Sequence, residues 1–202
     1  MTHKIIFLHG FFASGECMPA KALKEYFNNK ATVIAPDLPL HPTEAIRYIN
    51  DLCDKEKPDI LIGNSNGSFL AQIVASARKL PALLGNPYFE MTKFLSERIG
   101  LHKYKSPRAD GNQKFVINQN LIDEFAELQD HQWDYSPTAD RDLIWGLFGD
   151  NDTLAHYEPS YLKHYGHAFH FPGAHTPTAD EVKEYYAPLA EKLIEAAESK
   201  HK

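Results

Sequence analysis

With 202 residues, 43% hydrophobic and 24% charged, the chain has the make-up of one ordinary globular domain and is short for two. A formal net charge of -6, with Lys and Arg scattered rather than clustered, argues against nucleic acid as a partner. No run approaches the roughly 20 apolar residues of a membrane span, and the apolar run at 5–8 is too short for a signal peptide. Two cysteines, Cys17 and Cys53, make neither a disulfide framework nor a metal-ligand pair, so reduced thiols in a cytoplasmic protein are expected.

In chain order, residues 4–8 read as a buried strand ending at His9-Gly10. Residues 19–27 follow as a helix with Leu23, Tyr26 and Phe27 on one side, and 31–35 as a strand stopped by Pro36. Residues 42–53 form a second helix, with Ala45, Ile46, Ile49, Leu52 and Cys53 in a 3.6-residue stripe. A third strand at 59–62, a helix at 69–78 and a fourth strand at 82–84, ended by Gly85-Asn86-Pro87, continue the alternation. Residues 88–140 break it. They read as a helical insertion, with helices at 94–99 and 122–128 joined by polar stretches such as 106–112. This region is a candidate lid, too thin in apolar residues to own a core. Alternation resumes with a strand at 143–147, a helix at 157–165, a strand at 168–171 and a helix at 179–197 divided near Pro188. The pattern predicts a three-layer α/β fold: one domain over 1–202, with a mostly parallel sheet and helices on both faces.

Chemistry concentrates at Gly63-Asn64-Ser65-Asn66-Gly67. A Gly-x-Ser-x-Gly pentapeptide alone is weak, but this one directly follows the strand Ile60-Leu61-Ile62 and directly precedes a helix. A sharp strand-to-helix turn there presents the Ser65 hydroxyl, and the flanking glycines let the two arms approach. The N–H of Asn66 then points beside the serine oxygen, where it suits an oxyanion. A serine needs a base, and the base needs an orienter. Among 11 histidines, His175 lies in the loop just past the last strand. His3 and His201 sit near the ends, and His102 and His131 in the insertion. His164, His167 and His170 cross a predicted element boundary without a Cys or carboxylate close in sequence, so no metal site is expected. For the acid, Asp150 and Asp152 both follow the strand at 143–147. Asp152, farther out, is preferred for its reach, with Asp150 left open as a turn cap. A second oxyanion donor is expected from Gly10-Phe11-Phe12, the N–H of Phe11 or Phe12, with Phe11 preferred, and His9 as a positioning residue.

Together His9-Gly10-Phe11, the Ser65 pentapeptide, Gly149-Asp150-x-Asp152 and Gly173-x-His175 resemble the α/β-hydrolase superfamily. The short chain and the segments Leu-His-Gly-Phe and Ala-Pro-Asp-Leu-Pro are most similar to the small bacterial YqiA-type serine esterases. The resemblance implies a Ser65–His175–Asp152 triad, an acyl-enzyme intermediate, and hydrolysis of short or medium acyl esters without a cofactor. It departs at Asn66 and Ser68, where such elbows often carry Leu and a further Gly. Phe12, Tyr88, Phe89 and Leu154 flank the catalytic loops and are candidate walls for an acyl group. A small-molecule acyl ester is therefore the expected partner, and the sequence gives no sign of a homo-oligomer. Two alternatives stay open: a thioesterase, and a hydrolase-fold protein that binds without catalysis.

Overall fold

The computed structural model describes residues 2–200; Met1, His201 and Lys202 lie outside the described residues. In chain order the elements are β1 (His3–Leu8), α1 (Met18–Tyr26), β2 (Ala31–Ile34), α2 (Pro42–Glu56), β3 (Ile60–Asn64), α3 (Asn66–Arg78), β4 (Ala82–Gly85), α4 (Met91–Ser96), β5 (Gly100–Lys103), β6 (Lys114–Ile117), α5 (Gln119–Asp130), β7 (Ile144–Gly149), α6 (Glu158–Tyr161), β8 (His167–Phe171), α7 (Ala179–Glu181) and α8 (Ala187–Lys200). Six strands pair in the order β2-β1-β3-β4-β7-β8, every neighbouring pair parallel. The chain steps outward from β1 to β2 and then crosses back to β3 on the other side of β1. The crevice at the carboxyl ends of β1 and β3 is therefore the switch point where open α/β sheets bind ligands.

Alternate residues of each strand enter two cores. Ile6, Leu8, Leu61 and Leu84 face α2, α3 and α5, while Ile5, Phe7, Ile62 and Leu83 face α1 and α8. β3 is buried at every residue because both its faces are covered. Helix α3 is buried continuously from Asn66 to Ser76, and the polar side chains of Ser68, Gln72 and Ser76 are hydrogen-bonded accordingly. Tyr165 donates to Gln72 Oε1 at 2.7 Å, and its hydroxyl lies 2.6 Å from that of Ser76.

Two expectations change, and the division near Pro188 takes a specific form. The region 88–140 contains α4 and α5, but between them β5 and β6 form an antiparallel hairpin, so it is not purely helical. Its apolar residues are also better placed than their number suggests, since Phe94, Leu95, Phe115, Ile117, Leu121 and Phe125 join the same core as α3. The predicted helix at 157–165 shrinks to the four residues of α6. The C-terminal helix passes through a π turn, Val182–Tyr186, just ahead of Pro188. Proline lacks an N–H and its ring crowds the preceding turn, and the wider turn relieves both conflicts.

Candidate active site

Ser65 sits between β3 and α3 with φ 55° and ψ -119°, a conformation that a side-chain-bearing residue rarely adopts. The turn is held from several directions. Ser65 N–H donates to the Gly85 carbonyl at 3.0 Å, and the Ser65 carbonyl accepts from Ser68 N–H at 3.0 Å and Phe69 N–H at 3.1 Å. Ser68, one of the two departures from the usual elbow, is wholly buried and donates its hydroxyl to the same Gly85 carbonyl at 2.8 Å. The flanking glycines are dictated by contact. A Cβ on Gly67 would lie 1.9 Å from the Leu8 carbonyl oxygen, and one on Gly63 would lie 2.5 Å from the Gly67 backbone.

Ser65 Oγ lies 2.8 Å from His175 Nε2, and His175 Nδ1 lies 2.8 Å from Asp152 Oδ2. With the proton on Nδ1 donated to the carboxylate, Nε2 is the nitrogen that accepts from serine. Asp152 is buried, and its second oxygen accepts the N–H groups of Leu154 at 2.7 Å and Ala155 at 3.0 Å. Burial pushes the Asp152 carboxyl up, but the hydrogen bond and charge of His175 and these two amides outweigh it and hold the group below the usual carboxylate range. Asp150 does not reach His175. Its exposed carboxylate lies 3.1 Å from His170, whose other nitrogen is 3.2 Å from Glu158. The fold also brings Asp142 to 3.8 Å from His167, carboxylates that distance in sequence concealed. His164 instead stacks on Trp133 with centroids 4.0 Å apart, and no cluster of metal-ligand type gathers among the described residues. His201 lies outside the described residues.

The loop after β1 lies against the elbow, since a Cβ on Gly10 would be 3.6 Å from that of Ser65. Neither Phe11 N–H nor Asn66 N–H donates to a backbone acceptor outside regular helices and strands among the described residues. For Asn66 this is the ordinary state of a first-turn amide. The Asn66 side chain is buried, with Oδ1 lacking a partner among the described residues. His9 is buried as a neutral positioning group. Its Nδ1–H donates to the Gly10 carbonyl at 2.8 Å, and Nε2 accepts Leu38 N–H at 3.0 Å. Burial lowers its pKa to about 4.

A cavity of about 360 Å³ opens over Ser65 and His175, with Phe11, Phe12, Phe94 and Leu154 in its walls. Tyr88 and Phe89 do not line it, contrary to the sequence expectation. Past Pro87 their rings turn inward: Tyr88 packs edge-on to Tyr157 at 5.0 Å and to His175 at 6.3 Å, and Phe89 meets Trp133 at 4.8 Å. They back the site as core residues.

Three residues of the site escape a reading of the sequence. Asn86 looks like a strand-ending turn residue, yet its amide nitrogen donates to the carbonyls of Ala174 at 2.9 Å and His175 at 3.1 Å, while its oxygen accepts Gly149 N–H at 2.7 Å. It therefore clips the loop of Asp152 to the loop of His175. Its left-handed backbone, φ 40°, is the one local hint, and only the sheet order shows what it bridges. Arg98 and Lys105 border the cavity from the segment around β5, where the sequence shows only a helix end and a polar stretch.

The family model described as Uncharacterised protein family (UPF0227) matches residues 4–169. Among solved structures the chain is similar to Est1E from Butyrivibrio proteoclasticus, at 16% identity and TM-score 0.71, over 96% of this chain and 88% of that one. It is similar to a Paleococcus ferrophilus monoacylglycerol lipase at 15% identity and TM-score 0.71, over 96% of both chains. It is also similar to mouse alpha/beta hydrolase domain-containing protein 10 at 14% identity and TM-score 0.69, over 98% and 91%. Such identities establish the architecture, the α/β-hydrolase fold. No helix among the described residues is long and apolar enough to cross a membrane.

Proposed function

The chain belongs to the UPF0227 family, and from that membership and the geometry at Ser65 we propose that it is a serine hydrolase cleaving carboxylic esters of short or medium acyl groups. The observation that carries this reading is the continuous line of 2.8 Å contacts from Ser65 Oγ through His175 to Asp152. The esterase and lipase fold of its neighbours is in keeping with it.

In this mechanism Ser65 Oγ attacks the ester carbonyl carbon as His175 Nε2 takes its proton. The N–H groups of Phe11 and Asn66 receive the oxyanion, and Asp152 stabilises the imidazolium through Nδ1. Collapse breaks the ester bond, and the alcohol leaves with the proton from His175. Water then attacks the acyl-Ser65 carbonyl carbon with His175 again as base, the bond from the acyl carbon to Ser65 Oγ breaks as His175 returns the proton to Oγ, and the acid departs. The reading calls for no cofactor. Phe12, Leu154 and Phe94 make an apolar wall for the substrate.

A fluorophosphonate probe tests the reading. It should modify the folded protein at Ser65 alone, and neither Ser65→Ala nor His175→Ala should react. Folded wild-type protein that stays unlabelled would overturn the proposal.

A further inference from the structure

The cavity over Ser65 is charged against the grain of the molecule. The chain carries a formal net charge of -6, so an average patch of its surface repels anions. The walls of this cavity nevertheless hold Arg98 and Lys105 and not one Asp or Glu.

Both cations are held in place. The Arg98 guanidinium lies 4.1 Å from the Phe94 ring, itself a cavity wall. Its Nη1 donates to the Phe94 carbonyl at 2.7 Å and to the exposed Glu97 carboxylate at 3.2 Å. Glu97 is not a cavity residue, and Nε and Nη2 have no acceptor among the described residues. Lys105 is tied by its backbone, whose N–H donates to the Phe12 carbonyl at 2.7 Å, right beside the oxyanion loop. Its Nζ lies 5.9 Å from the Phe12 ring centroid and pairs with no carboxylate among the described residues. Phe12 and Phe94, the rings nearest the two cations, both pack on Phe11, and all three rings share the cavity wall with Ser65.

An apolar stretch that ends in two underused cations matches an ester with an apolar spacer and an anionic end. We propose that the ester cleaved at Ser65 carries a carboxylate-type anion received by Arg98 and Lys105. The inference rests on the hydrolase reading and adds a substrate class to it. Arg98 is half-buried and Lys105 is exposed, so the preference is moderate and screened by salt.

Matched esters test it on the full chain, and two pairs distinguish where the anion sits. Mono(4-nitrophenyl) adipate against methyl 4-nitrophenyl adipate places the charge on the acyl side. 4-(Butyryloxy)benzoate against its methyl ester places it on the alcohol side. In at least one pair kcat/KM should favour the acid about tenfold. The ratio should fall toward one in Arg98→Gln/Lys105→Gln and also in high salt. Ratios at or below one in both pairs, with Ser65 still labelled by fluorophosphonate, would overturn this inference and leave the hydrolase reading standing. A binding arm is independent of turnover. Ser65→Ala should bind monomethyl adipate more tightly than dimethyl adipate by calorimetry, by a similar factor, and equal affinities would again overturn it. If Ser65 is not labelled while the anion preference persists in this arm, the hydrolase reading falls and takes the cleaved ester with it, and only the anion site at Arg98 and Lys105 stands.

Discussion

Residues 63–67 and residues 98–109 border the same cavity, but different physics holds them there. The elbow is fixed by its own backbone. Ser65 takes a strained conformation, and Gly63 and Gly67 pack so tightly that a single added carbon would overlap a neighbouring strand or turn. The hairpin side is fixed by bonds to residues far away in sequence. Lys105 N–H reaches Phe12, the Ser14 hydroxyl reaches Ser106 and Pro107, and Asp37 accepts Gly15 N–H at 2.8 Å and Ala109 N–H at 2.7 Å. Local sterics leave a signature in sequence. Long-range bonds leave almost none.

The largest expected effect lies on the elbow side. Asp152→Asn should keep the fold but lower kcat on a 4-nitrophenyl ester by about 10⁴, because the amide no longer holds His175 in the tautomer that accepts from serine. A loss below tenfold would remove Asp152 from the proposed mechanism. The paired glycines set the two regions directly against each other. In Gly67→Ala the new methyl meets the Leu8 carbonyl at 1.9 Å, and neither backbone segment can retreat without moving β1 or α3. Urea unfolding should register a loss of more than about 3 kcal/mol, in the upper range for point substitutions. Gly111→Ala, in the hairpin turn, meets nothing within 4 Å and bears only the strain of φ 74°. It should lose about 1 kcal/mol. Equal losses would contradict the contrast.

The same division explains what could be read from the residues. All six strands of the sheet are visible as short runs rich in apolar residues because each run is local, and β1, β3 and β4 stand out most because both their faces are covered. The loops of Asp152 and His175 are visible because strand order places them at one edge. The strands of the hairpin are invisible for a physical reason: each has four residues, and Leu101 and Val116, paired across it, point their apolar side chains at solvent. The expected inward alternation is thus inverted on one face. Tyr88 and Phe89 mislead in the opposite way, since they follow the turn after β4 in sequence but turn away from the cavity in space. Asn86 has no readable role until β4, β7 and β8 are known to be neighbours.

His9 links the two regions, because it braces the β1 loop against Leu38, next to Asp37. It is held neutral, with a pKa lowered from the ordinary 6.5 to about 4, chiefly by burial. Between those values the unfolded chain binds the proton and the folded chain does not, so stability rises with pH across that window and falls on acidification through it. The pKa difference corresponds to about 3 kcal/mol between pH 7 and pH 4. Other groups titrate as well, so the informative quantity is the comparison with His9→Gln, whose stability measured by urea unfolding should fall less steeply from pH 7 to pH 4. Parallel curves would mean that His9 can be protonated in place.

The smallest effect belongs to Asp37, where the hairpin is fastened to the loop after β1. Its two oxygens serve opposite sides of that junction, Gly15 on one and Ala109 on the other. Asp37→Ala removes both bonds, but the Ala109 end is exposed and water replaces it, so the cost should be only about 1 kcal/mol. For a chain of this size that lowers Tm by roughly 2–4 °C. The more telling change is kinetic. Asp37 is not a cavity residue, yet without it the Lys105 segment keeps fewer bonds to the loop after β1, those of Lys105 N–H to Phe12 and of the Ser14 hydroxyl to Ser106 and Pro107. In the proposed mechanism KM should rise while kcat holds, because the elbow is fastened by its own backbone, whereas Lys105 depends on bonds between segments distant in sequence. A fall in kcat at constant KM would show that the two regions are coupled, and that the elbow depends on the hairpin after all.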